Sequence, residues 1–597
     1  MRDVYYDEEL RYLKEEGARF ARRHPQRARY LNLESPRDRD PNVGALFEGF
    51  AFLCAGIRER TDAALPALAA GVTGLLWPQL LHPVPSACIA EFRPRSGMLQ
   101  GSHIIKKGTA LFADPDPVSG VSCRFGVTRD VCVNPVSVGG VEVFTSAGGK
   151  DVLSLSFKLD RGISLERLEL SPVRLFINED LPAALLIRKM LLCSVEEVVL
   201  RDDCGRSRVL VAGDTFVEGG FGEDEELFPE PQSVSRPLSL LRDYFAFPEK
   251  FLFIDVFGLD SLRGVSGVDL ARGEAAVLGR SPSVITLEVR FDRKLSNRIL
   301  LTKESFRLHC VPAVNVFRRD AEPVSVDGRR CDYRLVSDSV HPECYAIHSV
   351  ESVTGVDSVT GERCEYGKYR RPGVDSGRFY SLRADSRAED GDYYGGGGGL
   401  TLSMRGRQTE GGRLKRETLQ VSAWQTNGAL ARKVLSEGGA LCRAAPEFPD
   451  YITFTNITIP AASISPPVGD EHLWAFLSHI SSTGSGFNDA ERLKEFLRVY
   501  DWAGRGGGRP EIESISAVSA KPCDMAVDRA VIRGTEMNII ADERFVAEES
   551  VYLFGTVLAR SLSCMSPINT FFKLVLTMPA TEKTFVWHCR AGERWAV

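Results

Sequence analysis

With 597 residues the chain exceeds what one hydrophobic core supports, so roughly two to four domains are expected. Hydrophobic residues make up 43% and charged residues 26%, ordinary proportions for a soluble globular protein. A net charge of −6 leaves no overall basic surface, which argues against electrostatic binding of nucleic acid.

The first residues, Met1-Arg2-Asp3-Val4-Tyr5-Tyr6, lack the apolar core of a secretory signal, and the cytoplasm is the expected compartment. A helix is predicted from about Val4 to Arg23, with Tyr6, Leu10, Leu13, Gly17 and Phe20 on one side. Asp7, Glu8 and Glu9 stand in its first turn and Arg19, Arg22 and Arg23 near its end, the order that suits the helix dipole. His24-Pro25 stops it. Asp40-Pro41 then starts a second helix, whose Leu46, Phe50, Leu53 and Ile57 recur at spacings of one apolar face. No charge follows Asp62 until Glu91. Prolines argue against a membrane span there, because the unbroken piece from Ala67 to Trp77 is roughly 16 Å of helix, about half a bilayer core. Two readings of this uncharged stretch remain: a helix buried in its own core, or one buried against other chains. Pro83-Val84-Pro85-Ser86 reads as a stiff extended strut leading out of it.

Beyond Ser86 the period changes from helical to alternating. Leu153, Leu155, Phe157 and Leu159 mark one half-buried strand, and Ile285, Leu287, Val289 and Phe291 another. Helical patches are predicted at about Leu181–Cys193 and about Leu238–Phe247, the second followed by an apolar strand over Phe251–Phe257. Gly222-Glu223-Asp224-Glu225-Glu226 reads as a solvated acidic loop. Pattern fails from Asp357 to Leu400, and Gly395–Gly399 suggests a flexible connection, with a weaker seam at Arg505–Pro510. Further on, helices are predicted around Leu473, Trp474, Leu477 and Ile480, after an Asn488–Glu491 capping box, and over Val551–Leu562, before a strand at Ile568–Met578. The expected fold class is therefore α+β and multidomain. Residues 1–85 form a helical module with a proline joint, 86–380 a β-rich, sandwich- or barrel-like region, 381–400 a Gly-rich linker and 401–597 a mixed α+β domain.

Catalytic signatures are thin. Walker-type phosphate loops, G-x-S-x-G elbows and H-E-x-x-H are all absent. His472 and His479 lack a carboxylate or Cys at ligand spacing, and His309 reads as a surface or satisfied histidine. The 14 cysteines contain no C-x-x-C and read as free, mostly buried thiols. No enzyme activity, cofactor or metal is expected. Large apolar helices and rigid proline joints instead suit a chain that holds, and is held by, other proteins.

Several motifs, in order along the chain, resemble the TssF family (also called ImpG or VasA) of type VI secretion baseplate subunits. They are Tyr5-Tyr6-Asp7-Glu8-Glu9-Leu10-Arg11-Tyr12-Leu13 with Glu16-Gly17-Ala18-Arg19-Phe20-Ala21, Leu46-Phe47-Glu48-Gly49-Phe50-Ala51-Phe52-Leu53, and the joint from Leu76-Trp77-Pro78 to Pro83-Val84-Pro85-Ser86. Tyr244-Phe245-Ala246-Phe247-Pro248 and Leu308-His309-Cys310-Val311-Pro312-Ala313-Val314-Asn315 continue the series, with a weaker echo at Arg533-Gly534-Thr535-Glu536. One departure is Trp424-Gln425-Thr426-Asn427, where the family usually has Cys-Thr-Asn. The resemblance implies a non-catalytic wedge subunit without cofactors, two copies pairing with one TssG-like subunit. It further implies contacts to TssK-like adaptors, TssE-like sheath starters and a VgrG-like spike hub. The site would be cytoplasmic, docked at the inner-membrane secretion complex with no insertion of its own. A phage-tail baseplate wedge protein and, in another class, a multidomain carbohydrate-active enzyme are the alternatives. Phe47, Phe50, Leu53, Leu76 and Trp77 are the candidate partner-interface residues.

Overall fold

The computed structural model describes residues 2–28, 41–62, 71–74, 78–146, 149–222, 224–228, 236–263, 282–294, 300–326, 330, 332–368, 378–384, 400–405, 409–410, 413–414, 416–466, 489–502, 504, 508–527, 530–566 and 568–591. They fall into an α+β architecture of two compact units, a helical one within Met1–Pro78 and a β-rich one that begins at Gln79.

The helical unit is an antiparallel pair. Helix α1 (Arg2–Arg23) places Ala21 against Val43 and Phe47 of α2 (Pro41–Asp62) at one end. At the other end Arg58 donates to Glu9 over 2.9 Å and lies above the Tyr5 ring. Pro41 costs α2 nothing in the first turn, where an amide hydrogen has no partner.

In the larger unit the strut after the joint is paired. Val84 and Ile464 exchange backbone hydrogen bonds of 2.8 and 2.9 Å. Ala87–Pro94 then takes the interior of a six-stranded sheet between Cys310–Val314 and Ile452–Asn456. A five-stranded sheet joins the two strands read from alternation, Asp151–Leu159 and Val284–Phe291, directly to each other. Among the described residues of this unit, helices longer than one turn are α3 (Leu181–Cys193), α4 (Arg236–Ala246), α5 (Ala429–Ser436), α6 (Ala490–Tyr500) and α7 (Glu548–Met565). The last two belong with a four-stranded sheet ordered Ile515–Val527, Ala530–Ala541, Phe571–Met578, Lys583–Ala591.

Three expectations change. Phe379–Ala384 and Leu400–Arg405, which overlap the two ends of the expected linker at 381–400, pair with each other, so the intervening stretch connects neighbours in one sheet. Strands on both sides of it share sheets: Glu417–Thr426 pairs with Ala346–Asp357, and Ile452–Asn456 with Ala87–Pro94. Pairing at long sequence separation leaves no trace in local composition. The α6 cap is Asp489, whose side chain accepts from the Glu491 amide, while Asn488 lies outside the described residues. In the acidic loop Glu225 is not solvated: its carboxylate is clamped between Arg129 and Arg174. Gly395–Gly399, His472, His479 and the helix predicted around Leu473 lie outside the described residues.

Candidate assembly surface

Several interior polar groups are spent on structure. Asn315 Nδ2 donates to the Arg124 carbonyl (2.8 Å) and to Asn427 Oδ1 (2.9 Å), and its Oδ1 accepts from Thr426 Oγ1 and the Asn427 amide (both 2.7 Å). Asn427 Nδ2 reaches the Cys344 carbonyl. This buried node ties the end of Cys310–Val314 to the end of Glu417–Thr426. At the position where the resemblance expects Cys, Gln425 is buried, accepts from Ser337 and donates to the carbonyls of Arg319 and Asp320. The substitution is thus absorbed by three hydrogen bonds. Asp243 and Lys250 form a buried pair at 2.6 Å, and Arg174 meets Asp255 through two bonds of 2.6 Å.

His309 is buried in a left-handed conformation (φ 54), its Nε2 accepting from the Asn134 amide at 3.1 Å. The sequence reading of a satisfied histidine fits this, and that of a surface one does not. Burial lowers its pKa to about 4 and that of His82 to about 3, so both rings are neutral at pH 7. Burial also pushes the Cys132 thiol up to about 11 and Cys123 to about 12, which keeps them protonated and poorly nucleophilic. Among the described residues no three His, Cys, Asp or Glu side chains converge in the manner of a metal cage. An apolar cavity lies beside His309, walled by Val136, Phe157, Leu159 and Leu308.

The unusual chemistry is on the outside of α2. Leu46 is 71% exposed, Phe50 54%, Leu53 64% and Ile57 64%. The apolar face legible in the sequence is therefore present and turned away from α1, while Ala51 and Ala55 point inward and are fully buried. Phe52 is also exposed, as are Tyr12 and Phe20 of α1. Of the α1 residues, Ala21 packs inward against Val43 and Phe47. At about 100° per residue in two antiparallel helices, Tyr12 and Phe20 fall on the same side of the pair as the α2 stripe. One side of the pair is thus a largely apolar trough, interrupted by Glu16 between Tyr12 and Phe20, and the other carries Asp7, Arg11, Lys14 and Glu48 with the exposed Phe52. Of the nominated residues, Phe50 and Leu53 lie in the trough, Phe47 is half-buried against Ala21, and Leu76 and Trp77 lie outside the described residues. Leu46 and Ile57 belong to the same stripe. Their spacing alone was sufficient to name them.

Large contiguous apolar surface on a helix pair is what a subunit presents to a partner in an assembly. Among the described residues no helix is long and apolar enough to cross a membrane. Comparison with known proteins gives the family. Residues 3–594 match the model "Type VI secretion system, TssF". The chain is 24% identical to type VI secretion system component TssF1 of Pseudomonas aeruginosa, over 99% of this chain and 98% of that one. It is similar to a chain of a type VI secretion TssK-TssF-TssG baseplate subcomplex solved by cryo-electron microscopy. That match is 26% identical, with TM-score 0.75, over 92% of this chain and 98% of that one. A chain of a type VI secretion baseplate complex shares the fold over the full length of both, at TM-score 0.63 and 24% identity. The chain belongs to the TssF family of the type VI secretion system.

Proposed function

We propose that this chain is a non-catalytic wedge subunit of a type VI secretion baseplate, two copies of it sharing their α1–α2 troughs with one TssG-like subunit. The observation that carries the reading is the outward stripe of Leu46, Phe50, Leu53 and Ile57, four large apolar side chains left more than half exposed. The TssK-TssF-TssG subcomplex that contains a similar chain supports TssG-like and TssK-like partners. Contacts to a TssE-like sheath starter and a VgrG-like hub, and a cytoplasmic position docked at the inner-membrane secretion complex, complete the proposal. The family match over 3–594 favours this over the phage-tail and carbohydrate-active alternatives.

Co-expression with a TssG-like chain, followed by native mass spectrometry, tests it. The expected species carries two copies of this chain and one of the partner. A monodisperse monomer that ignores the partner overturns the reading.

A further inference from the structure

Gly49 stands exposed in the interior of α2. A glycine there forms helix less well than alanine, because it loses more backbone freedom on folding. Nothing in its own chain requires it. It lies well inside Pro41–Asp62, away from any turn or helix end, and a Cβ built on it meets nothing within 4 Å among the described residues. One turn back stands Leu46 and one turn on stands Leu53, with Phe50 beside it. Residues at i, i+3, i+4 and i+7 form the hole into which a facing helix inserts a side chain in coiled-coil packing, and Leu46, Gly49, Phe50 and Leu53 are such a set. Three corners of this hole are large and exposed, and the fourth has no side chain.

The surroundings define the occupant. From Pro41 to Ile57 the single charged side chain of α2 is Glu48, on the other side of the pair. On the α1 rim Glu16 is already held by Arg19. The contacting face of an occupant is therefore uncharged. Both walls are helices whose mid-helix donors and acceptors are used internally, so a segment lying between them gains no main-chain hydrogen bonds there. Such a segment must satisfy its own backbone, and an α-helix does so. The spacings of four, three and four along Leu46, Phe50, Leu53 and Ile57 are those of a heptad seam, which another helix matches.

We infer that Leu46, Gly49, Phe50 and Leu53 form an enlarged hole that receives a bulky apolar side chain from an α-helix of a TssG-like chain, packed closely over Gly49. The missing side chain at the fourth corner deepens the hole and lets the incoming helix approach α2. The helix-forming tendency given up at Gly49 is thus offset only in the complex. The inference rests on the helix-trough reading and adds to it the position and character of the contact.

The test uses the full chain and a TssG-like partner chain, with Gly49→Ala, Gly49→Leu and, as a matched control on the far side, Glu48→Leu. Affinity read by titration calorimetry is expected to fall from the parent to Gly49→Ala to Gly49→Leu, by at least about tenfold at the last, because the hole is overfilled. Glu48→Leu should stay within about twofold of the parent. The free Gly49 variants should unfold in urea at or above the parental midpoint, since Ala and Leu form helix better than Gly and the added Cβ meets nothing. A parent chain that takes up no partner overturns the trough reading and this inference together. A parent that binds while Gly49→Leu binds equally or more tightly overturns the hole alone. A lowered urea midpoint in Gly49→Ala assigns the glycine to its own chain, and a parental homodimer that Gly49→Leu dissolves assigns the hole to a second copy. Either result also overturns the inference.

Discussion

Leu53→Glu separates a helix face built for a partner from one built for its own core. Leu53 is 64% exposed in the chain, so most of its apolar surface remains to be buried. Complete burial of such a side chain contributes roughly 1.5–3 kcal/mol, which leaves about 1–2 kcal/mol for Leu53 and on the order of 5 kcal/mol for the four-residue stripe. Leu53→Ala is then expected to weaken association with a TssG-like chain about tenfold. Leu53→Glu places an unpaired carboxylate in the same contact and should weaken it by more than about a hundredfold. The free chain should unfold as before, within about 0.5 kcal/mol, because the substituted group faces solvent. Phe47→Ala has the opposite signature: half-buried against Ala21 and Val43, it should cost the free chain roughly 2 kcal/mol. Urea unfolding of each variant and titration calorimetry against the partner chain read the two effects apart. Parental association by Leu53→Glu, or a large loss of stability in the free variant, refutes the reasoning.

Asn427→Ala removes an acceptor for Asn315 and the Arg124 amide and a donor to the Cys344 carbonyl, all in the interior. It should lower stability by roughly 2–4 kcal/mol in urea unfolding. Gly534→Ala drives a Cβ to within 2.5 Å of the Phe571 carbonyl oxygen in a paired strand, so a loss of about 1–3 kcal/mol is expected by thermal unfolding. His309 and His82 have folded pKa values of about 4 and about 3 against 6.5 when unfolded, so below pH 6.5 the unfolded chain binds the extra protons. Stability from these groups is complete above pH 6.5 and declines as pH falls toward 4, by roughly 2 kcal/mol each at pH 5. Urea midpoints at pH 7.5 and 5.0 measure the decline, and His309→Asn, which tolerates the left-handed backbone, should make it shallower.

The local part of the fold is legible in the sequence because its causes are local. The 3.6-residue period of α2, the approximate extent of Leu181–Cys193 and the alternation of Leu153–Leu159 and Ile285–Phe291 each follow from neighbours within a few residues. The Leu46–Ile57 stripe was legible too, but not its direction, since an apolar face looks the same whether it meets its own chain or another. Tertiary structure decided that. Inward positions went to the small Ala51 and Ala55, which let α1 approach, and the large side chains were left outside. Distant pairing decided the rest. Ala87–Pro94 meets Ile452–Asn456 across a separation no window of sequence can span, and the supposed linker joins strands of one sheet. Acidic Glu225 had no reason in its own neighbourhood to be buried. Arg129 and Arg174, brought beside it only by folding, supplied the charge that makes burial tolerable.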